Sequence, residues 1–482
     1  MSSYILGIDV GTTSVKAVLL ETGSRSVIAS HTLPTASDII DSTGLKVSTT
    51  LLNKTVEVIS VNPDDVSTQA KEQHTGRIID TLNRCIGSLP RGKLQHVAGI
   101  GLSGQMHGVL FWKGKDGCDW SNGDFFTPKD ASQLITWQDG RCSSDFLSSL
   151  PQPESHISVS TGFGCATIFW YMRHRPEFLV DFTAAGTIQD YVVSMLCGLN
   201  GCVMTPQNAA GWGFFNTSTN QWNMDILKKA GFPLHLLPRC IPSGGFAGQT
   251  WSDWHGVPAG TPVGAALGDF QGSVYSCMSA RTDAVLNIST SAQLTFAMPA
   301  NFTPPDCPQP ASSISYVPYF KDSYLAVAAS LNGGNVLATF VETLTAWLKE
   351  LDVELSESCL YEKLIHCGLS QETSDLRVSP TLLGERHDPL RLGQIANIST
   401  SNLSLGHLTR ALCRGVLDNI TSMMPVERLQ QAGIRRIVSS GSAVVRNQVL
   451  RQEVERAFPL AVEYGQNADS AVGVAMVISD WL

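Results

Sequence analysis

The chain has few positive charges and no cluster of them. Its 482 residues include 33 Lys and Arg against 42 Asp and Glu, which gives a formal net charge of -9. Because nucleic-acid-binding surfaces are usually strongly positive, this balance argues against a nucleic-acid partner. No apolar run approaches the roughly 18 residues that cross a bilayer, so we expect no membrane-spanning segment.

The chain also lacks a basic region ahead of an apolar stretch at its N-terminus, and it has no Cys-x-x-Cys pair. The first absence argues against a secretory signal peptide. The twelve cysteines are scattered, and the closest two are Cys197 and Cys202. Such a distribution is typical of free thiols in a reducing compartment. We therefore expect a cytoplasmic protein.

What is present is the composition and periodicity of a globular α/β protein. Hydrophobic residues make up 43% of the chain and charged residues 16%, and the length favours two domains. Tyr4–Leu20 is predicted to form two strands around a small-residue turn, where Gly11 permits a tight bend. A helix is predicted over Thr75–Ile86 and a buried strand over His96–Leu102. The alternation of strands and helices favours an α/β fold.

A stretch rich in proline and glycine predicts a linker near residues 240–262. It divides the chain into an N-terminal domain, residues 1–245, and a C-terminal domain, residues 246–482. Just beyond the linker, Asp283–Met298 repeats the strand, turn and strand of the opening segment. This repeat predicts two duplicated domains that face each other across a cleft.

The first turn has the chemistry of a phosphate site. Gly11, Thr12 and Thr13 offer N–H and hydroxyl donors without bulky side chains. Asp9 at the end of the preceding strand can hold Mg²⁺ through water, and Lys16 is placed to reach the transferring phosphoryl group. The alternative is a plain hairpin in which these side chains only stabilise the turn.

Phosphoryl transfer to an alcohol needs a carboxylate within hydrogen-bond reach of the hydroxyl. The best candidate is Asp269, which follows an apolar strand and lies between Gly268 and Gly272. The two glycines leave room for a ligand. The alternative role of Asp269 is a helix N-cap, which is compatible with catalysis.

A polyol pocket is predicted from polar side chains that follow a buried strand. Gln105, Met106 and His107 lie at the edge where α/β sites usually form, and Thr136–Arg141 adds an aromatic face beside two charges. Each residue alone would more often be structural, so the prediction rests on their joint presence.

Two later turns join a strand to a helix through glycine. They are Asn332–Asn335 and Ser439–Ala443. Turns of this kind allow a nucleotide to approach the backbone closely, although they are common in α/β proteins.

These segments together resemble the FGGY carbohydrate kinases, whose two domains share the actin-like, ribonuclease-H-like ATPase fold. The resemblance extends from Ile5 to Ala475. The matching segments include GIDVGTTSVKAVLL, GLSGQMHG, TWQDGR, ALGDFQG, LLGERHDP and NADSAVGVAM. Within the family, Ser160–Trp170 and Leu403–Gly415 are most similar to kinases of a long-chain ketose.

The resemblance implies ATP and Mg²⁺ as cofactors and transfer of the γ-phosphoryl group to a sugar hydroxyl. It implies Asp269 as the catalytic base and Asp9 as the aspartate linked to Mg²⁺. Taken with the motifs above, the predicted nucleotide contacts are Gly11, Thr12, Thr13, Lys16, Thr290, Ser291, Gly333, Gly334, Gly441, Ser442 and Asn447. The predicted sugar contacts are Gln105, Met106, His107, Asp139 and Asp269.

The chain departs from the family pattern in a few places. Ser289 stands where many relatives have glycine, and a side chain there resists a positive φ. Ser439 and Ser440 replace two glycines of the usual adenine turn. Thr167 replaces a frequent lysine, and Met204–Ala209 lacks an aspartate that is common in relatives, which weakens the case for a sugar contact in that segment.

Three hypotheses of function follow. The first is an ATP-dependent kinase of a long-chain ketose, and the second is a kinase of a pentulose or another polyol. The third, ranked far behind, is an actin-like ATPase without a sugar substrate. The expected partners are a small sugar and ATP, without nucleic acid or membrane, and the expected assembly is a monomer or homodimer.

Overall fold

The computed structural model describes residues 3–37, 39–40, 69–121, 124–371, 375–465 and 468–482. The strands are β1 Tyr4–Val10, β2 Ser14–Glu21, β3 Val27–Pro34, β4 Ile39–Ile40, β5 Glu72–Gln73, β6 Val97–Gly104, β7 Leu110–Trp112, β8 Cys118–Ser121, β9 Phe125–Pro128, β10 Leu134–Ile135, β11 Ala184–Gly186, β12 Val203–Met204, β13 Phe215–Asn216, β14 Gln221–Trp222, β15 Arg239–Cys240, β16 Phe246–Gln249, β17 Pro262–Gly264, β18 Leu267–Gly268, β19 Asp283–Ile288, β20 Ala292–Ala297, β21 Ile314–Pro318, β22 Tyr324–Ser330, β23 Arg377–Ser379, β24 Gln394–Ala396, β25 Arg436–Ser440 and β26 Ala461–Tyr464.

The α-helices are α1 Thr75–Gly87, α2 Arg91–Leu94, α3 Ser144–Ser148, α4 Gly164–His174, α5 Pro176–Leu179, α6 Ile188–Cys197, α7 Pro206–Ala210, α8 Met224–Lys229, α9 Asp269–Cys277, α10 Gly334–Glu350, α11 Glu357–Leu369, α12 Leu405–Met423, α13 Val426–Gln431, α14 Ser442–Arg446, α15 Gln448–Ala457 and α16 Ser470–Trp481. Short 3-10 helices span Gly114–Gly117 and Leu234–Leu236. Within the described ranges, no helix is both long and apolar enough to cross a membrane.

The first large sheet has the strand order β16-β17-β6-β1-β2-β3, with β18 also paired to β6. Strand β1 lies antiparallel to β2 and parallel to β6, so the predicted hairpin over Tyr4–Leu20 is confirmed. Its apolar residues are covered on both faces, as is usual for a central strand. Helix α1 covers one face through Ile78, Ile79, Leu82 and Ile86, and the predicted helix at this position is also confirmed.

The second large sheet has the order β21-β22-β20-β19-β25-β26. Strands β19 and β20 form an antiparallel hairpin, and β19 pairs in parallel with β25. This is the arrangement that β1 and β2 have with β6, so the repeat predicted from Asp283–Met298 is present in the fold. Helices α12 and α15 contribute apolar side chains such as Val416, Leu417 and Leu450 to the core of this half. The predicted α/β class with two facing, related halves is confirmed.

The segment predicted as a linker takes part in the first sheet. Strand β16 pairs antiparallel with β17, and β17 pairs in parallel with β6. The division at residues 245 and 246 stays a prediction. From the strand pairing we propose a domain boundary after α9. Among the strands that belong to one of the two large sheets, all that precede α9 belong to the first sheet.

Helices α9 and α16 pack on each other at two glycines. A Cβ on Gly473 would lie 1.8 Å from the carbonyl oxygen of Gly272, so only glycine fits at this crossing. Helix α16 also packs on β1, where Ala471 and Ala475 lie against the backbone of Gly7. The close crossing brings together the first residues of two helices, and these residues form part of the site.

Candidate active site

The first carboxylate of the site lies at the end of β1. Asp9 is half-buried, and its Oδ1 accepts a 2.9 Å hydrogen bond from the hydroxyl of Ser103. Lys16 lies opposite Asp9 in the hairpin register, but its ammonium forms an ion pair with Asp469. Asp469 is the N-cap of α16, where it also accepts from the N–H of Val472. The predicted phosphate-binding lysine is therefore held by a carboxylate that sequence analysis did not identify.

The pKa of Asp9 is higher than is usual for an aspartate. Burial, the largest effect, raises its pKa to about 6; the charge of Asp469 also raises it, whereas the Ser103 hydroxyl and Lys16 lower it. Desolvation disfavours the charged form of a carboxyl group. A bound cation would reverse this effect, so the surroundings of Asp9 are suited to a cation.

The second carboxylate begins α9. Asp269 accepts a 2.7 Å hydrogen bond from the N–H of Phe270. The N-cap is Gly268, and no side chain caps this helix, so the alternative prediction of an N-cap role for Asp269 is wrong. Burial raises the pKa of Asp269 to about 7, and the charge of Asp9 adds to the rise. A carboxylate with a pKa near neutrality is suited to accept the proton of a hydroxyl.

The first loop is held in place beside these carboxylates. The carbonyl of Thr12 accepts a 2.8 Å hydrogen bond from Nε2 of Gln73, and the carbonyl of Thr13 accepts one of 2.9 Å from the N–H of Thr35. The indole N–H of Trp137 donates to the hydroxyl of Thr12 at 3.1 Å. These contacts fix the loop conformation, as a phosphate site built on backbone groups requires.

Met106, one of the predicted sugar contacts, lies next to the predicted base. The sulfur of Met106 lies so close to Gly268 that a Cβ on that glycine would be 2.7 Å from it, and Gly268 directly precedes Asp269. Nε2 of Gln105 donates to Oε1 of Gln73 at 2.9 Å, and Gln73 in turn holds the first loop. This segment therefore joins the surroundings of the base to the phosphate hairpin.

His107 has the strained backbone that is common at functional sites. Its φ is 74°, and the N–H of Gly108 donates to the carbonyl of Met106 across it. Its Nδ1 donates to the carbonyl of Gly211 at 2.9 Å, and its ring stacks on Phe163 with centroids 4.6 Å apart. Burial lowers the pKa of His107. A neutral ring that donates through Nδ1 keeps Nε2 as an acceptor, which suits a sugar hydroxyl.

Asp139 lies in a different environment. It is fully buried and accepts hydrogen bonds from Nε of Arg141 at 2.8 Å and from the N–H of Lys71 at 2.8 Å. Arg141 also pairs with Glu72 and bonds the hydroxyl of Tyr171. The predicted sugar contact of Asp139 stays a prediction, and the geometry favours a role in positioning Arg141 and the neighbouring segment.

The second loop is bound by the turn after β22. The N–H groups of Gly334 and Asn335 donate to the carbonyls of Ser289 and Thr290, at 2.7 and 3.1 Å. The loop between β19 and β20 is therefore held by backbone hydrogen bonds. In the first loop the corresponding bonds come largely from side chains.

Glycine is required at the two turns that enclose the second loop. A Cβ on Gly333 would lie 2.4 Å from the carbonyl carbon of Ser291. Gly441 has a φ of 105°, and a Cβ there would lie 2.3 Å from the carbonyl oxygen of Ile288. These close approaches explain why the two turns contain glycine, and they place both turns against the predicted phosphate loop.

A cavity of about 710 Å³ opens beside the second loop. Its walls come from α10, α11 and α14, and the residues lining it include Thr290, Gly334, Asn335, Tyr361, Ser442 and Arg446. The volume lies within the usual range for small-molecule sites. Three predicted nucleotide residues, Thr290, Gly334 and Ser442, therefore share one cavity. Tyr361 and Arg446 were not predicted, because no local motif distinguishes them.

The side chain of Asn447 forms hydrogen bonds within the protein. It is buried, it caps α15 by accepting a 3.0 Å hydrogen bond from the N–H of Leu450, and it donates to the sulfur of Cys413 at 3.6 Å. Its predicted contact with the nucleotide stays a prediction.

The residues predicted for chemistry form two groups. Asp9, Lys16 and Asp269 meet where β1, α9 and α16 converge, and Thr290, Gly334 and Ser442 line the cavity beside the second loop. Asp469 joins the first group, and its position ahead of the last apolar helix is an N-cap signal that the sequence does contain. Within the part of the chain that the structure describes, no three His, Cys, Asp or Glu side chains gather closely enough to hold a metal ion.

The fold and this site define a class of protein that comparison also identifies. Residues 4–275 match the N-terminal domain of the FGGY family of carbohydrate kinases, and the chain belongs to this family. It is 52% identical over 476 residues to a sedoheptulokinase from Homo sapiens and 53% identical over 476 residues to one from Mus musculus. Each alignment covers 98% of this chain and 96% of the relative.

A solved structure shares the fold at much lower sequence identity. The crystal structure of xylulose kinase from Rhodospirillum rubrum superposes with a TM-score of 0.75 at 19% identity, covering 98% of this chain and 89% of that one. This superposition supports the predicted fold. The family model and the two relatives confirm the predicted family, the chain is a carbohydrate kinase, and membership in this family supports ATP as the phosphoryl donor.

The structure explains two of the departures from the family pattern, at Ser289 and in the segment Met204–Ala209. Among the described residues Ser289 does not have a positive φ, so the serine fits without backbone strain. Thr167 is buried within α4. In the segment without aspartate, the hydroxyl of Thr205 and Nδ2 of Asn208 donate to the carbonyl of Ala266 at 2.8 and 3.2 Å. This segment therefore supports the strand that leads to Asp269.

Proposed function

We propose that this kinase transfers the γ-phosphoryl group of ATP to the terminal primary hydroxyl of D-sedoheptulose, giving sedoheptulose 7-phosphate. The similarity to two sedoheptulokinases over nearly their whole length is the observation that carries the choice of sugar. Asp269, with a pKa raised to about 7, supports the chemistry.

The proposed step needs a base and fixed phosphate positions. The sugar hydroxyl loses its proton to the carboxylate of Asp269 while its oxygen forms a bond to the γ-phosphorus. The bond between this phosphorus and the bridging oxygen breaks, and ADP leaves with the electron pair. The two hairpin loops would hold the phosphates on either side, since such transfer depends mainly on positioning and charge stabilisation.

Mg²⁺ fits the surroundings of Asp9. The charge of Asp9 acts on Asp269, the charge of Asp469 acts on Asp9, and Lys16 pairs with Asp469. Mg²⁺ keeps most of its waters and usually binds through one or two carboxylates and the substrate phosphates. Asp9 would hold the ion through water, and the ion would neutralise charge on the phosphates.

Lys16 would then have two partners. Its ammonium pairs with Asp469 in this structure, and the phosphates of a bound nucleotide would compete for it. We infer that Lys16 moves from Asp469 toward the phosphoryl group when ATP binds. Closure of the two halves would exclude water and favour transfer to sugar over hydrolysis.

The second candidate is a kinase of another ketose such as xylulose, which the fold alone permits. An actin-like ATPase without a sugar substrate ranks far behind, because it needs neither a base at Asp269 nor a hydrogen-bond acceptor for sugar at His107. A monomeric or homodimeric state and a cytoplasmic location remain predictions.

A panel of ketoses tests the proposal. ADP release would be measured with ATP, Mg²⁺ and sedoheptulose, xylulose, ribulose or fructose. We expect the highest kcat/KM with sedoheptulose and little ADP release without sugar. Equal or higher kcat/KM with xylulose would reject sedoheptulose as the substrate, and rapid ADP release without any sugar would favour the ATPase.

A further inference from the structure

A buried carboxylate outside the two groups described above lies against the turn that leads to Gly334 of the cavity. Glu385 is 1% exposed and belongs to the segment between β23 and β24. The other buried glutamate of the described ranges, Glu453, pairs with Arg410 and Arg414. Within the described ranges, Glu385 pairs with no Lys or Arg. A buried carboxylate without a cation must be satisfied by hydrogen-bond donors.

Four donors converge on it. Oε1 accepts from the hydroxyl of Ser330 at 2.6 Å, from Nδ2 of Asn332 at 3.0 Å and from Nδ2 of Asn419 at 2.7 Å. Oε2 accepts from the N–H of Leu331 at 3.1 Å. Ser330, Leu331 and Asn332 are consecutive, so Glu385 binds the end of β22 and the start of the nucleotide turn at three points.

The turn is locked to the same segment by a second set of bonds. Nδ2 of Asn332 also donates to the carbonyl of Gly384 at 2.8 Å, and its Oδ1 accepts from the N–H of Leu383 at 3.2 Å. Asn419 brings in α12 from the far side, and its Nδ2 also donates to the hydroxyl of Ser330 at 3.0 Å. Three separate elements thus meet at one carboxylate.

The turn that Glu385 holds is the one that holds the second loop. Gly334 and Asn335, which directly follow Asn332 and Gly333, donate to the carbonyls of Ser289 and Thr290. A Cβ on Gly333 would lie 2.4 Å from the backbone of Ser291, so the turn and the loop are in direct backbone contact. A shift of Asn332 would therefore be passed to the loop.

We propose that Glu385 is a positioning residue for nucleotide binding. It acts through the turn Asn332–Gly334 on the loop Ser289–Ser291, and it does not touch the nucleotide itself. The inference rests on the proposed function, since it takes these two segments as the nucleotide site. Buried networks of this kind keep one geometry only while all members are satisfied, so loss of the carboxylate releases the turn.

The test compares Glu385→Ala and Glu385→Gln with a matched control. In Glu385→Gln the amide oxygen can still accept from the three donors on Oε1. Only the N–H of Leu331 would then face the NH₂ group instead of an acceptor. This variant should therefore keep most of the nucleotide affinity that Glu385→Ala loses. Glu453→Gln is the control, because Glu453 is equally buried in the same half but pairs with arginines of α12 and α15. ADP affinity would be measured by calorimetry, together with KM for ATP and for sugar.

In Glu385→Ala, we expect the Kd for ADP and KM for ATP to rise by about tenfold or more, with sugar KM within about twofold of wild type. Glu385→Gln should fall between this variant and wild type. Glu453→Gln should lower the unfolding temperature while leaving the Kd for ADP unchanged.

A purely structural role gives a different result. Equal increases in both KM values, or an unchanged Kd for ADP in folded Glu385→Ala, would overturn the inference. If Glu385→Ala does not fold, Asn332→Ala serves in its place. Asn332→Ala removes the side chain that Glu385 orients, so we expect the same increase in the Kd for ADP. An unchanged Kd for ADP in Asn332→Ala would likewise overturn the inference. Wild-type protein without affinity for ADP would instead reject the nucleotide site and hence the proposed function.

Discussion

The two hairpins at the centres of the two sheets share a topology but differ in charge and in support. Asp9 pairs with Lys16 across the first hairpin, whereas Asn287 pairs with Gln293 at the corresponding place in the second. The first thus has a carboxylate and an ammonium where the second has two neutral amides. The comparison teaches that the two hairpins repeat one frame, while only the first has, at these paired positions, the charged side chains that the proposed metal site needs.

The loops also differ by one residue. Val10 pairs with Val15, which leaves residues 11–14 to turn, whereas Ile288 pairs with Ala292 and leaves residues 289–291. Side chains from outside the first sheet fix the first loop, and backbone groups of the turn after β22 fix the second. Sequence similarity between the hairpins therefore extends to the first strand and the turn, but the register shifts by one in the second strand.

The largest effect is expected at Asp269, the carboxylate at the start of α9 that interacts with Asp9 of the first hairpin. Asp269→Asn removes the proposed base, and we expect kcat to fall by about 10³-fold, within the usual contribution of general base catalysis. ADP affinity should stay within about twofold, since Asp269 does not line the cavity beside the second loop. Steady-state kinetics and calorimetry measure both, and near-normal kcat would exclude Asp269 as the base.

Folding stability provides a control for the same variant. The pKa of Asp269 is raised, so the folded protein holds this proton more tightly than the unfolded chain does. The carboxyl group therefore destabilises the fold increasingly as pH rises through about 4 to about 7. Asp269→Asn should have a higher Tm than wild type at pH 8 and a smaller difference at pH 4.

The next largest effect is expected from making the first hairpin resemble the second. Asp9→Asn replaces the carboxylate by the amide found at Asn287, and we expect kcat to fall by about 10²-fold and the Mg²⁺ concentration for half-maximal rate to rise. Titration of the rate with Mg²⁺ measures this. The reverse change, Asn287→Asp, serves as the control and should weaken ATP binding without changing the Mg²⁺ requirement. An unchanged Mg²⁺ titration in Asp9→Asn would show that the ion is held elsewhere.

The interaction between the two carboxylates predicts a pH effect. Because Asp269 must be ionised to accept a proton, kcat/KM should fall by about tenfold per pH unit below a pKa near 7. The charge of Asp9 contributes to this raised pKa, so Asp9→Asn should move the acidic limb of the profile to lower pH. A limb that stays in place would mean that the two groups titrate independently.

The smallest effect is expected at the position where the hairpins differ by a glycine. Ser289 has no positive φ, so Ser289→Gly gains nothing in the folded state and adds freedom to the unfolded chain. We expect a loss of about 0.5–1 kcal/mol in the free energy of unfolding, with KM for ATP unchanged. Urea denaturation measures the first quantity. A marked improvement in ATP binding would mean that the serine strains the loop after all.

Local pattern was enough to predict the elements that carry the site. The hairpins, helix α1 and the strand before Gln105 follow from periodicity and turn residues, which depend on near neighbours. Asp469 was not identified because its contact with Lys16 spans most of the chain. The burial of Asp139 beneath Arg141 is also set by packing between distant segments, and a charged residue in a motif does not reveal whether it faces ligand or protein.

The boundary between the two halves also could not be predicted from local sequence. Proline and glycine near residues 240–262 indicate irregular backbone, but they do not show which sheet the nearby strands join. Strands β16 and β17 pair with the first sheet, a non-local choice that composition does not encode. Similarly, no motif predicted Tyr361 beside the nucleotide cavity, since a single tyrosine on a helix carries no distinguishing pattern.

The central claim is that Asp269 activates the terminal hydroxyl of a seven-carbon ketose for attack on ATP. Phosphorus and carbon NMR of the reaction of wild-type protein with ATP, Mg²⁺ and sedoheptulose tests it directly. The account predicts ADP and one sugar phosphate in equal amounts, with phosphorus coupled to C7, formed about 10³-fold more slowly by Asp269→Asn. Phosphate on another carbon, free inorganic phosphate as the main product, or product formed by Asp269→Asn at a rate near that of wild type would contradict it.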